Sequence, residues 1–119
     1  MRKVVITGIG IVSCIGNNQT EVLDSLLKTR SGIVFSEDHQ KYNFRSQVVG
    51  EVKNLNLSDF IDRKKIRFMG DGSAYNYIAM QESIKDSGLE EKNVSDEMTG
   101  IIMGSGGPSI KNVVLAVDA

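Results

Sequence analysis

Residues 3–12 are almost continuously apolar and rich in β-branched side chains, interrupted only by Thr7, Gly8 and Gly10. A run with no polar alternation predicts a strand buried on both faces, as in parallel sheets covered by helices. Asn17-Asn18 ends the run, and Asn18 with Glu21 three residues later makes a capping-box pattern for a helix. Val22, Leu23, Leu26 and Leu27 then share one helical face, Lys28 and Arg30 suit its C-terminal end, and Ser31-Gly32 closes it, with Gly32 as the left-handed residue.

The pattern loosens over residues 33–44, where charges, His39 and the absence of a period predict a surface loop. Val48, Val49 and Val52 mark a second, shorter strand within 47–52. Asp62 is placed to cap a short basic helix over 63–69, and Gly70 and Gly72 on either side of Asp71 predict a bend. Ala74, Tyr77, Ile78, Gln81 and Ile84 recur at helical spacing through 73–87, with Gly88 and Leu89 marking the helix end. An acidic connection, 90–97, leads to a third apolar run at 99–103. That run enters the turn Gly104-Ser105-Gly106-Gly107-Pro108, and Ile110, Val113, Val114 and Val117 follow on one helical face.

Together these elements predict an α/β fold of three strands and about four helices. Three strands make a thin sheet for a first strand buried on both sides, so further strands are expected from residues outside these 119.

Composition adds little to this picture. Apolar residues make up 40% and charged residues 24%, which is ordinary for a globular protein and argues against disorder or a membrane protein. A net charge of −1 gives no general attraction to nucleic acid or to an anionic membrane. The single cysteine, Cys14, forbids an internal disulfide and points to a reducing, cytoplasmic setting. The apolar run after Met1 is broken by glycines and has no cleavage signature, so it does not read as a signal peptide.

Four features could carry chemistry. Gly8-x-Gly10 after a strand invites a dinucleotide-binding reading, but Ser13 stands where the third glycine belongs. The helix cap also comes eight residues after Gly10, so the glycines fall within or at the end of the strand, where they allow close backbone packing. Cys14 lacks an evident base and reads as a small buried residue, and with one histidine and one cysteine a metal site of those ligands is not expected. Arg63, Lys64, Lys65 and Arg67 repel one another on a short helix, a cost that an acidic partner would relieve. Gly104-Ser105-Gly106-Gly107 lacks the lysine of a phosphate-binding loop and reads as a turn permitting close approach of backbone or ligand.

The stretches VVITGIGIVSCIGNN (4–18), LLKTRSGI (26–33), IDRKKIRFM (61–69) and TGIIMGSGG (99–107) resemble, in order and spacing, the start of the beta-ketoacyl-acyl-carrier-protein synthases, and most closely their synthase I branch. The resemblance implies a thiolase-like layered fold, with residues 1–119 as the first part of its N-terminal half. It also implies a cytoplasmic homodimer that uses no cofactor or metal. The chemistry implied is decarboxylative condensation of an acyl thioester with a malonyl unit on acyl carrier protein, the step that elongates fatty acids. A cysteine nucleophile and two histidines carry it, and no position of this sequence matches any of the three, so the 119 residues alone are expected to be inactive. On the same basis Arg63, Lys64 and Arg67 match the docking surface for the acidic carrier protein. Gly106 and Gly107 match the turn beside the acyl pocket. Lys65 stands where close relatives tend to be apolar, and Pro108 where synthase I usually has glycine. Two rivals are a non-catalytic chain-length-factor-like subunit of the same fold and a nucleotide-binding α/β domain.

Overall fold

The computed structural model describes residues 3–118. Among them it contains six α-helices, one 3-10 turn and one two-stranded sheet. The chain divides into two compact units, 11–55 and, among the described residues, 3–10 with 56–118.

In the unit of residues 11–55, a tight turn opens the chain: Ser13 donates its amide to the Gly16 carbonyl at 2.8 Å and Gly16 returns the bond at 3.3 Å. Helix α1 (Gln19–Leu27) follows. Its cap is the expected one, since the Asn18 side chain accepts the Glu21 amide at 3.0 Å. The returning carboxylate bond goes one residue further out, to the Asn17 amide at 2.8 Å. Val22 and Ser25 are the buried residues of α1, and the Ser25 hydroxyl donates to the Ile15 carbonyl at 2.6 Å, which satisfies a polar group that burial would otherwise penalise.

The end of α1 departs from expectation. Thr29, at φ 52°, takes the left-handed position, and Gly32 does not. Gly32 is small for another reason: a Cβ there would stand 2.7 Å from the Cys14 Sγ, so the chain passes directly over the cysteine.

The expected loop at 33–44 is structured. It holds strand β1 (Ile33–Phe35) and helix α2 (Glu37–Lys41). Ser36 caps α2 by accepting the His39 amide at 3.2 Å, and Glu37 and Asp38 fill the first turn. Strand β2 (Val48–Gly50) lies inside the expected 47–52 and pairs antiparallel with β1, with Val34 opposite Val49. The run at 33–35 is too short to show a period that separates strand from loop, and only its pairing with β2 identifies β1.

In the other unit a 3-10 turn (Leu57–Asp59) leads through buried Ile61 to helix α3 (Arg63–Ile66). Helix α4 (Asp71–Ser87) begins two residues before the predicted start and buries Ala74 and Ile78. It stops at Gly88, whose φ of 68° is the left-handed cap its position implies. The acidic connection contains a single turn of helix, α5 (Glu91–Val94), and α6 (Ile110–Val117) matches its predicted bounds.

The runs at 3–12 and 99–103 are extended without ladder pairing among the described residues. Val4 is 94% exposed and Ile102 fully so, and neither run forms the strand expected of it among the described residues. Ladder hydrogen bonds require two segments in register, and an apolar run supplies only one of them. The count is therefore two strands and six helices among the described residues, not three and about four. The α/β class stands. No described helix is long and apolar enough to cross a membrane.

Candidate functional site

Gly8 and Gly10 lie against α4. A Cβ on Gly10 would stand 2.7 Å from both the Ala79 carbonyl carbon and the Ser83 amide nitrogen, and one on Gly8 would stand 2.7 Å from the Ser87 amide nitrogen. Ala79, Ser83 and Ser87 recur every four residues, so a stripe of small side chains lets the helix backbone reach the glycines. Ile9 between them donates its amide to the Asp86 carboxylate at 3.0 Å. The faces a pyrophosphate would need are thus filled by helix, which removes the nucleotide-binding alternative and supports the packing role read from the sequence.

A cleft of about 430 Å³ opens beside this contact. Ala79, Met80 and Ser83 of α4 line it together with Gly10 and residues 102–104. The two extended apolar runs therefore approach the same face of one helix.

Helix α3 presents the basic cluster. The Asp62 carboxylate accepts the Lys64 amide at 2.7 Å and so starts the helix as predicted. The helix closes at Ile66, earlier than the expected Met69, with Arg67 as its cap. Ile66 is half-buried, whereas Arg63, Lys64, Lys65 and Arg67 are all exposed. The ion pairs among the described residues are Lys28 and Arg30 with Asp24, Lys92 with Glu90, and Lys111 with Asp71. None includes a cation of α3.

Helical spacing separates these four cations. Arg63 and Arg67, four apart, share a face, and Lys64 stands about 100° round the helix from Arg63 and from Lys65 alike. The three candidates Arg63, Lys64 and Arg67 are thus exposed on one short segment, as is Lys65. Sequence reasoning passed over Phe68, which is 80% exposed with the Arg67 guanidinium 5.2 Å from its ring centre. The available signal was an aromatic directly after a basic run, which a charge-based reading gives no weight.

Gly106 and Gly107 sit in an exposed turn before α6. The Ser105 hydroxyl donates to the Gly107 carbonyl at 2.8 Å, and neither glycine has a described atom within 4 Å of where a Cβ would stand. A Cβ on Gly70, three residues after Arg67, would meet the Ser109 Cβ at 2.8 Å, and Lys111 reaches Asp71 at 3.5 Å. The start of α6 therefore meets the start of α4. Gly70 was expected only to bend the chain; its smallness is also required by this contact.

In the other unit, Cys14 is free and half-buried, more open than the sequence suggested. It lines a cleft of about 290 Å³ with Ser13, Asn17, Glu21, Lys53 and Asn54. Its wall is fixed by the Asn17 side-chain amide, which donates to the Lys53 carbonyl at 2.7 Å. His39 packs its ring 5.1 Å from that of Phe44. No group of three or more histidine, cysteine or acidic side chains among the described residues is arranged to hold a metal ion.

Residues 1–117 match the family model described as the N-terminal domain of beta-ketoacyl synthase. The whole chain is 50% identical to a Haemophilus influenzae protein named 3-oxoacyl-[acyl-carrier-protein] synthase 1, and 48% identical to the Escherichia coli K12 protein of the same name. In each case it spans 29% of the relative's length. A Staphylococcus aureus 3-oxoacyl-[acyl-carrier-protein] synthase 2 is 35% identical over 88% of the chain, or 25% of that protein.

Proposed function

The chain belongs to the beta-ketoacyl synthase family, within its N-terminal domain, and from that premise we propose that the full-length protein is a 3-oxoacyl-[acyl-carrier-protein] synthase of fatty acid elongation. The observation that carries this reading is identity near 50% along all 119 residues with proteins of that name.

In this reading an acyl chain is held as a cysteine thioester. A malonyl unit on the carrier protein loses carbon dioxide and attacks the thioester carbonyl, while two histidines assist the decarboxylation and the developing oxyanion. Cys14 is not that nucleophile, and this stretch contributes scaffold and recognition.

Arg63, Lys64 and Arg67 dock the acidic carrier protein. Their exposure and the absence of ion pairs on them among the described residues support this role. Gly106 and Gly107 leave room for the acyl chain, in keeping with the open space beside both. Residues 1–119 are the first part of the N-terminal half of a thiolase-like fold, and the full-length protein works in the cytoplasm as a homodimer with no cofactor.

The test is a condensation assay. Full-length protein given acyl and malonyl carrier proteins should release carbon dioxide and form the 3-oxoacyl product, and the 119-residue chain alone should form none. Replacing Arg63, Lys64 and Arg67 together by alanine should raise KM for the carrier protein at least tenfold. An inactive full-length protein would refute the assignment, and an unchanged KM would refute the docking role.

A further inference from the structure

The exposed face of α3 carries more than charge. Phe68 directly follows Arg67, the cap of α3, while Ile66 is half-buried. At 80% exposure it is among the most exposed aromatics of the chain. The Arg67 guanidinium lies 5.2 Å from the ring centre. A guanidinium stacked in this way is dry on one face and keeps its N–H edge for carboxylates, so the ring orients the cation as well as offering apolar surface.

A patch that served only to attract acid would gain nothing from an exposed aromatic stacked on one of its cations. Interfaces draw most of their affinity from a few buried aromatic and arginine anchors, with rim charges governing encounter. We infer that Phe68 is the apolar anchor of the carrier-protein contact, and that its partner surface pairs an apolar side chain with flanking carboxylates. Arg67 is a positioning element of that anchor through its stack on the ring. This inference rests on the docking reading of α3.

The experiment measures binding of acyl carrier protein to the full-length protein across a salt series, with circular dichroism as the check on folding. Phe68→Ser should weaken binding about tenfold, equivalent to 1.4 kcal/mol, at every salt concentration, leaving the slope of log Kd against log salt unchanged. Phe68→Leu should stay within about threefold of the parent, because an apolar side chain of similar size is kept. Phe68→Lys separates the two accounts: a purely ionic patch gains a cation and binds the acidic partner more tightly, whereas loss of an anchor weakens binding.

Tighter binding by Phe68→Lys, or unchanged binding by Phe68→Ser, would overturn the inference. The Arg63, Lys64 and Arg67 triple alanine variant marks the other failure. If it weakens binding and Phe68→Ser does not, the docking face stands without the anchor. If neither weakens binding, the docking reading itself falls and the anchor with it.

Discussion

The glycine contact on α4 offers the sharpest test of how this chain packs. In Gly10→Ala the new methyl carbon would stand 2.7 Å from the Ala79 carbonyl carbon and the Ser83 amide nitrogen, with the Ala79 carbonyl oxygen closer still. Ordinary contact between such atoms begins at about 3.5 Å, so the helix and the first run must part by more than about 1 Å, the Ala79 carbonyl oxygen setting the distance. The opposing atoms are backbone, so a change of rotamer cannot relieve the clash. Overpacking of this kind typically costs about 1–3 kcal/mol, and the rigidity of both partners puts the expected loss near the upper end.

Gly72→Ala is the internal control. A Cβ on Gly72 would meet no described atom within 4 Å, and the residue occupies the first turn of α4. Alanine there should stabilise by about 0.5–1 kcal/mol through helix propensity and a less flexible unfolded chain. Urea unfolding of the full-length variants followed by circular dichroism reads both effects. The midpoint should fall for Gly10→Ala and rise for Gly72→Ala, with slopes unchanged. A loss below about 0.5 kcal/mol for Gly10→Ala, or equal losses at the two sites, would show that the glycines do not hold α4 against the first run.

Three further changes follow from local geometry. Asn18→Ala removes the acceptor of the Glu21 amide at 3.0 Å and should cost about 1 kcal/mol in the same unfolding experiment. Gly88→Ala places a Cβ on a backbone at φ 68° and should cost about 1 kcal/mol, with no clash contributing because nothing described lies within 4 Å. Thr29→Gly relieves a β-branched residue at φ 52° and should raise the midpoint by an amount equivalent to about 0.5–1 kcal/mol; a fall would mean that the threonine side chain makes a compensating contact.

Local chemistry was legible in the sequence because it acts within a few residues. The caps at Asn18 and Asp62, the left-handed Gly88, the period of α4 and the bounds of α6 all follow from hydrogen-bond donors, backbone freedom and 3.6-residue spacing, and the structure holds each of them. The basic cluster was legible too, since charge needs no fold to be counted. What needed the third dimension was partnership. β1 became a strand only because β2 lay beside it, and 3–12 and 99–103 are apolar enough for a sheet yet form no ladder among the described residues. The glycines at 8, 10, 32 and 70 looked alike as letters, and only their neighbours separated helix packing, passage over Cys14 and the junction of α4 with α6. Sequence patterns record what each residue prefers to avoid, whereas hydrogen-bonded pairing and close packing depend on which distant segment arrives opposite it, and that is decided by the tertiary structure.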